Sequence, residues 1–218
     1  MKTKSELPKD AGTPLTAWRR KSAEMSGGKS GEHIYELIDR VIEEQGSKGN
    51  VIDFGAGQGT YTQRLFLSGR FEQVIALDLL PRPSTVSDSV QWIVQDLNQP
   101  TDLPGEAFDL IVAAEVIEHL ENPRALAREW FRLLRPGGSL ILTTPNNESW
   151  RAIASLIFKG HFSLFLDHSY PAHITALVRK DIERILSEAG FTMISLSDTP
   201  IMVTFLFCDA YGRACSVP

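Results

Sequence analysis

Five short apolar runs alternate with stretches of helical periodicity between residues 50 and 145. Strands that are apolar throughout and separated by helices form a parallel sheet covered on both faces. Two later runs, FTMISLS and IMVTFLFC, are separated by DTP alone, which predicts an antiparallel pair. We therefore expect an α/β fold with its ligand site at the carboxyl ends of the parallel strands. The runs predicted as parallel strands are NVIDF, QVIALDL, VQWIVQDL, FDLIVAAE and SLILTTP.

Length and charge narrow the classes of protein further. The 218 residues suit one domain, and 43% hydrophobic and 22% charged residues are ordinary for a globular protein. A net charge of −5 gives no basic field and argues against a nucleic-acid partner. No apolar run reaches transmembrane length and the N-terminus lacks a signal core, so we expect a cytoplasmic protein. Cys208 and Cys215 form neither a metal-finger spacing nor a disulfide framework.

A glycine-rich loop follows the first predicted strand, with Gly55, Gly57 and Gly59 at alternate positions. A P-loop requires lysine after its last glycine, but Thr60 stands there. A dinucleotide fingerprint places its third glycine one position later. Asp53, in the strand before the loop, would repel a pyrophosphate but can pair with an ammonium group. The loop therefore suits a zwitterionic ligand better than a phosphate.

Two further acids end the next two predicted strands. Asp78 lies 21 residues after Gly57, where a carboxylate can accept both hydroxyls of a ribose. Asp96 ends the third strand and can accept from an adenine amino group, with Leu97 against the ring. Because parallel strands bring their carboxyl ends to one edge, we expect these acids to surround a single ligand.

These motifs resemble those of class I S-adenosylmethionine-dependent methyltransferases. The similarity extends over roughly residues 31–197 and includes VIDFGAGQGTYT, VIALDL, QDLNQP, FDLIVAAEVIEHLENP and LLRPGGSLILTTPN. The resemblance implies a Rossmann-like, seven-stranded doubly wound sheet in the order 3-2-1-4-5-7-6, with strand 7 antiparallel. It also implies S-adenosyl-L-methionine as cofactor and S-adenosyl-L-homocysteine as product.

The resemblance also implies a set of cofactor-binding residues. The glycine loop would line the methionine part, the second strand end would hold the ribose, and the third would bind adenine. The residue after the fourth strand would face both cofactor and substrate. In chain order, the implied residues are Asp53, Gly55, Ala56, Gly57, Gly59, Asp78, Leu79, Asp96, Leu97 and Glu115.

The stretch EVIEHL places Glu115, Glu118 and His119 at positions i, i+3 and i+4, on one side of a helical turn. One interpretation is structural, with Glu118 and His119 shaping a loop. A second is acid–base catalysis by His119 or His173 next to Glu118, which gives the candidate catalytic residues and requires no metal. A third is a Mn²⁺ or Mg²⁺ site completed by His173 or His168. That pattern is similar to the Glu-x-x-Glu-His of small-RNA 2′-O-methyltransferases.

Two segments are candidate lids. Residues 147–172 form a long connection, and long connections often carry function. Apolar residues repeat there at helical spacing, flanked by Arg151 and Lys159, which predicts a packed lid, an apolar pocket or a membrane-surface helix. The stretch is similar to bacterial methyltransferases of surface polysaccharide and glycolipid synthesis.

We expect residues 1–30 to form a flexible arm or lid before a single domain over residues 31–218. Its basic residues Arg19, Arg20, Lys21 and Lys29 are candidates to meet the cofactor carboxylate.

Together these observations predict methyl transfer from S-adenosylmethionine to an oxygen or nitrogen of a small molecule, with a sugar or a lipid-linked sugar as candidate acceptors. A peripheral membrane contact is compatible with a lipid-linked acceptor. The alternatives are a metal-assisted RNA 2′-O-methyltransferase and a non-catalytic cofactor-binding subunit. The acceptor, the oligomeric state and the role of the tail DAYGRACSVP stay open at this stage.

Overall fold

A central sheet organises the structure, which is a computed structural model describing residues 14–192, 194–198 and 202–208. The first 13 residues of the predicted arm and the tail DAYGRACSVP lie outside the described residues. The strands are β1 Gly49–Phe54, β2 Phe71–Asp78, β3 Gln91–Val94, β4 Phe108–Ala114, β5 Leu134–Pro145, β6 Ile194–Asp198 and β7 Met202–Cys208.

Strands β1 to β5 are parallel and lie side by side in the order β3-β2-β1-β4-β5. This confirms the predicted α/β, Rossmann-like class. Strand β7 pairs antiparallel with β5 and with β6, and gives the sheet the full order β3-β2-β1-β4-β5-β7-β6. The strand order reverses at β1, between β2 and β4, where open α/β sheets form a crevice at the carboxyl ends.

Six α-helices are described, and four of them cover the two faces of the sheet. The six are α1 Pro14–Met25, α2 Glu32–Gln45, α3 Thr60–Leu67, α4 Pro123–Leu133, α5 Trp150–Lys159 and α6 Arg179–Ala189. Helices α2 and α3 pack on one face through a cluster that includes Ile38 and Val51. Helices α4 and α6 pack on the other face through a cluster that includes Ile52, Phe54 and Trp130. Because side chains alternate along a strand, β1 supplies both cores and directs Asp53 toward α3.

The two candidate lids are both partly helical. The described part of residues 1–30 contains α1, and α5 occupies 10 residues of the segment 147–172. No helix among the described residues is long and apolar enough to cross a bilayer.

The two tryptophans Trp130 and Trp150 give a matched test of this packing. Trp130 is fully buried and meets Phe54 edge to face with ring centroids 5.9 Å apart, whereas Trp150 is 72% exposed. We expect Trp130→Ala to lower the free energy of unfolding by about 3–5 kcal/mol, because it leaves a large cavity. Trp150→Ala should change it by less than about 0.5 kcal/mol. Urea unfolding of both variants measures the difference, and equal losses would contradict the packing described.

Candidate functional site

A pocket opens at the carboxyl ends of β1, β2 and β4, beneath α1. It is lined by every predicted cofactor residue except Gly59, and also by Glu118, His119 and His173. Gly59 instead starts α3 with a positive φ of 70°, and a Cβ there would lie 2.2 Å from a methyl carbon of Val86. Its missing side chain therefore serves packing against the β2–β3 connection.

The backbone of the glycine loop is fixed from below by β2. The N–H groups of Gly55 and Ala56 both donate to the carbonyl of Leu77, at 2.9 Å. The N–H of Gly57 donates to Asp78 Oδ2 at 2.7 Å. The loop is therefore held by the same strand end that carries the predicted ribose-binding acid.

The loop is also closed from above by the segment between α1 and α2. A Cβ on Gly57 would lie 2.3 Å from the carbonyl oxygen of Gly28. That oxygen accepts from the N–H of Gln58 at 2.7 Å, and Gln58 Nε2 donates to the carbonyl of Gly27 at 2.7 Å. Gly57, with φ of 55°, therefore allows two backbone segments to touch. Sequence reasoning missed this use of the glycine, since nothing local indicates that Gly28 lies above the loop.

Asp53 is a buried carboxyl at the floor of the pocket. It is 2% exposed, and Thr62 Oγ1 of α3 donates to its Oδ2 at 2.5 Å. Burial raises the pKa of Asp53 to about 7, and the nearby carboxyl of Asp78 adds to the effect. A cationic ligand group would favour the charged carboxylate, because its positive charge would offset the loss of hydration that burial causes.

The other two strand-end acids already accept hydrogen bonds. Besides Gly57, Asp78 binds the N–H of Leu80 through Oδ1 at 2.8 Å, and burial raises its pKa. Asp96 Oδ1 accepts from the backbone and side-chain nitrogens of Asn98, at 3.0 and 3.2 Å. Both carboxylates are thus held in fixed orientations on the pocket rim.

Helix α1 is clamped over the rim by Arg19. Its guanidinium donates to Asp96 at 2.6 Å and makes two bonds to Glu121, at 2.9 and 2.6 Å. These carboxylates raise the pKa of Arg19, and the side chain is only 11% exposed. Ser22 of the same helix donates to the carbonyl of Pro171 at 2.7 Å. Arg19 was one candidate to bind the cofactor carboxylate, but its guanidinium is bonded to Asp96 and Glu121. Lys29, another of the candidates, also lines the pocket.

The stretch EVIEHL differs from the helical turn that its spacing predicted. Glu115 has a left-handed φ of 54°, and residues Ile117–His119 form a 3₁₀ turn. The N–H of Glu115 donates to the carbonyl and to Oγ1 of Thr143, at 3.0 and 3.1 Å, which stabilises the unusual conformation. Burial raises the pKa of the Glu115 carboxyl, which bonds to Ser30. Glu115 and Glu118 therefore occupy separate positions rather than one helical face.

Glu118 is fully buried and only partly satisfied. Its Oε2 accepts from Thr144 Oγ1 at 3.1 Å, while Oε1 has no hydrogen-bond partner among the described residues. Its backbone carbonyl accepts from the N–H groups of Ile174 and Thr175, both at 3.0 Å. Burial raises the pKa of Glu118 to about 8, with a further contribution from Glu115. Glu118 thus places a buried, partly satisfied carboxyl group next to the pocket.

Two histidines stand beside Glu118, and Nδ1 of each ring faces a backbone carbonyl. Nδ1 of His119 lies 2.7 Å from the carbonyl of Ala172, and Nδ1 of His173 lies 2.6 Å from the carbonyl of Leu164. A carbonyl only accepts, so Nδ1 of each ring carries a proton, and Nε2 is an acceptor whenever it is unprotonated. Burial lowers the pKa of His119 to about 4. His168, the other histidine considered, is exposed and does not line the pocket.

These three side chains could also bind a metal ion. One donor atom from each of Glu118, His119 and His173 lies within 4.8 Å of the others. Nitrogen donors oriented by carbonyls, together with a buried carboxylate oxygen, are typical ligands of a divalent cation. The sequence spacing predicted Glu115 as a member of this group. In the structure Glu115 is not one of the three, because its left-handed backbone places it outside the 3₁₀ turn that carries Glu118 and His119.

Comparison with known proteins gives a consistent result. A family model described as a methyltransferase domain matches residues 26–196. A malonyl-[acyl-carrier protein] O-methyltransferase from Paenibacillus sp. (strain JDR-2) is 26% identical over 182 residues, which cover 79% of this chain and 66% of that protein. A ubiquinone biosynthesis O-methyltransferase from Xanthomonas axonopodis pv. citri is 29% identical over 163 residues, which cover 66% of this chain and 65% of that protein. The chain thus spans just under two thirds of each relative.

Solved structures share the fold at low identity. A SAM-dependent methyltransferase from Archaeoglobus fulgidus matches with a TM-score of 0.64 and 14% identity, covering 85% of this chain and 97% of that one. An S-adenosylmethionine-dependent methyltransferase from Mesorhizobium loti matches with a TM-score of 0.55 and 17% identity, and the match covers 74% of this chain and 92% of that one.

The hydrogen bonds of Arg19 to Asp96 and Glu121 should limit the opening motions of α1. We expect Arg19→Ala to speed amide hydrogen exchange over residues 14–25 roughly tenfold, because hydrogen bonds to charged groups are worth about 1.5 kcal/mol. Lys21→Ala on the same helix is the control, since Lys21 is exposed. Hydrogen-exchange mass spectrometry compares the two, and equal exchange in both variants would show that Arg19 does not hold the helix.

Proposed function

Because this chain belongs to the methyltransferase-domain family, we propose that it transfers the methyl group of S-adenosylmethionine to an oxygen of a small-molecule acceptor. The arrangement of Asp53, Gly57 and Asp78 around one pocket, with His119 and His173 at its side, is the observation that carries the proposal. The sequence predicted an oxygen or a nitrogen as the methylated atom. The relatives named as O-methyltransferases favour oxygen.

The pocket fits the cofactor on chemical grounds. The bare backbone around Gly57 leaves room for a ligand, and buried Asp53 offers a negative charge where an amino acid ammonium would be bound. S-adenosylmethionine supplies, when bound, a methyl group on an activated sulfonium. In this proposal Gly55, Ala56 and Gly57 hold the methionine part. Asp78 and Leu79 hold the ribose, Asp96 and Leu97 the adenine, and Glu115 faces cofactor and acceptor.

The residues beside the pocket then orient and deprotonate the acceptor. The low pKa of His119 keeps its ring neutral, so that its Nε2 can accept a hydrogen bond from an acceptor hydroxyl. His173, partly buried and oriented by the carbonyl of Leu164, is the proton acceptor. Glu118 positions this wall of the pocket through the carbonyl that binds Ile174 and Thr175. Most of the rate enhancement would come from holding acceptor and methyl donor in line.

A metal-assisted reaction, on a ribose or another hydroxyl, is a second candidate. The observation that favours it is the group Glu118, His119 and His173, in which Oε1 of Glu118 meets no hydrogen-bond partner from the described part of the chain. A divalent cation bound there would lower the pKa of a coordinated hydroxyl. The acid-rich pocket and net charge of −5 argue against RNA as the carrier of that hydroxyl.

A radiolabel experiment separates these functions. The purified protein is incubated with methyl-labelled S-adenosylmethionine and a cell extract, which is then divided into RNA, protein, lipid and small-molecule pools. We expect label in the lipid or small-molecule pool. Label in RNA that a chelator abolishes would favour the second candidate. Binding of S-adenosylhomocysteine without label in any pool would indicate a non-catalytic cofactor-binding subunit.

Cofactor affinity should depend on pH through Asp53. The carboxyl is protonated below its raised pKa of about 7 and charged above it, and only the charged form pairs with an ammonium. We expect affinity for S-adenosylhomocysteine to rise about tenfold from pH 6 to pH 8. Asp53→Asn should weaken binding and remove the rise, whereas Asp88→Asn, 92% exposed, should retain it. Calorimetric titration at both pH values measures this, and an unchanged pH profile in Asp53→Asn would contradict the pairing.

The stability of the free protein should change in the opposite direction. A raised pKa in the folded state means that stability is fully present below the unfolded pKa and is lost as pH rises through the folded value. Asp53 therefore lowers the stability of the free protein progressively as pH rises from the ordinary carboxyl range to about 7, and Glu118 extends this loss to about 8. The thermal midpoint of the Asp53→Asn variant should fall less between pH 6 and pH 8 than that of the wild type.

The role of His173 is tested with His168 as its matched control. We expect His173→Ala to slow methyl transfer into the labelled pool about 100-fold, since a general base contributes at least that much. His168→Ala should transfer at the wild-type rate, because His168 lies outside the pocket. Affinity for S-adenosylhomocysteine should stay within about twofold in both variants. Equal rates in the two variants would remove His173 from the mechanism, and a rate lost to chelator and restored by Mn²⁺ would favour the metal-assisted candidate.

A further inference from the structure

Helix α5 lies on the protein with its apolar side outward. The residues it buries are the small Ala152 and Ser155. A surface helix of a globular protein normally buries its large apolar side chains and exposes its polar ones. The exposed apolar face of α5 consists of Trp150, Ile153, Leu156, Ile157 and Phe158, of which Ile157 is 69% and Phe158 is 86% exposed.

The charge of this segment differs from that of the rest of the chain. No Asp or Glu occurs between residues 150 and 166, although the chain holds 27 acidic residues and a net charge of −5. The segment carries Arg151 and Lys159 near the two ends of α5, and both are exposed. The guanidinium of Arg151 lies 5.3 Å from the ring centroid of Trp150. A locally basic, apolar surface thus lies on an acidic protein.

An anionic lipid surface matches both properties. Large apolar and aromatic residues on one helix face, flanked by Arg and Lys, are typical of helices that lie in the headgroup region of a bilayer. A second copy of this chain matches less well. A symmetric contact would bring Arg151 and Lys159 of both copies together on a segment that has no acid to pair with them. We propose that the exposed apolar face of α5 and the loop up to residue 166 bind the surface of an anionic membrane.

The same segment is joined directly to the pocket. Leu164, 40% exposed, offers the carbonyl that orients His173, and Phe165 packs on the imidazole ring with centroids 5.3 Å apart. Pro171 and Ile174, a few residues further on, line the pocket. A membrane bound at α5 would therefore lie close to the wall that receives the acceptor. The proposed acceptor is accordingly an amphipathic or lipid-linked hydroxyl compound; this part rests on the proposed function, whereas the membrane surface itself does not.

Vesicle flotation tests the membrane surface with the whole chain of 218 residues. The vesicles are phosphatidylcholine alone and phosphatidylcholine mixed with phosphatidylglycerol. We expect the protein to float with the anionic vesicles and to sediment with the neutral ones. The double variant Ile157→Glu, Phe158→Glu should lose flotation, while Leu67→Glu, which changes a 71% exposed leucine on α3, should float like the wild type. Arg151→Gln and Lys159→Gln should each weaken binding roughly fivefold, and added salt should do the same.

Three results would overturn the proposal. They are the absence of flotation with anionic vesicles, equal flotation of the double variant and the wild type, and a wild-type dimer that the double variant converts to a monomer without any vesicle binding. Titration with S-adenosylhomocysteine accompanies each variant. Unchanged affinity in the double variant shows that it folds. A wild-type protein that floats but does not bind S-adenosylhomocysteine would refute the proposed function and leave the membrane surface standing.

Discussion

The contact between Gly28 and Gly57 is the constraint on which the rest of the pocket depends. Because Gly57 has no side chain, the backbone at Gly28 can lie directly on the loop after β1, with the N–H of Gln58 bonded to the Gly28 carbonyl. Gly57 also donates its own N–H to Asp78. A methyl group at this position would push the loop away from the α1–α2 connection. That would move α1, and with it the Arg19 clamp over the rim.

A cluster of buried carboxyl groups is the second property shared by the residues of the site. Asp53, Asp78, Glu115 and Glu118 all have raised pKa values because burial disfavours their charged forms. Arg19 reaches Asp96 and Glu121 but none of these four. A ligand with positive charge would stabilise the charged carboxyls, which is consistent with a sulfonium amino acid and, at Glu118, with a divalent cation. Both proposed functions follow from this electrostatic arrangement.

Much of the architecture could be predicted from the sequence because it depends on local patterns. Apolar strands alternating with helices determined the parallel sheet, and acids at the strand ends converged as that topology requires. The third glycine, Gly59, could not be assigned from spacing, because its neighbour Val86 lies in a distant connection. The spacing of EVIEHL suggested one helical face, but tertiary bonds to Thr143 hold Glu115 in a left-handed conformation that periodicity does not reveal.

The contacts that close the site were the least predictable. Arg19 and Asp96 are 77 positions apart, and no local signal pairs them. The outward orientation of α5 was equally hidden, since its periodicity is the same whether the apolar face is buried or exposed.

The central claim is that this pocket binds an amino acid joined to adenosine through sulfur, and not a dinucleotide. Calorimetric titration of the purified protein with S-adenosylhomocysteine and, separately, with NAD tests it most directly. The structure predicts one-to-one binding of S-adenosylhomocysteine and no measurable binding of NAD, because Asp53 beside the glycine loop would repel a pyrophosphate. Tight binding of NAD without binding of S-adenosylhomocysteine would contradict it.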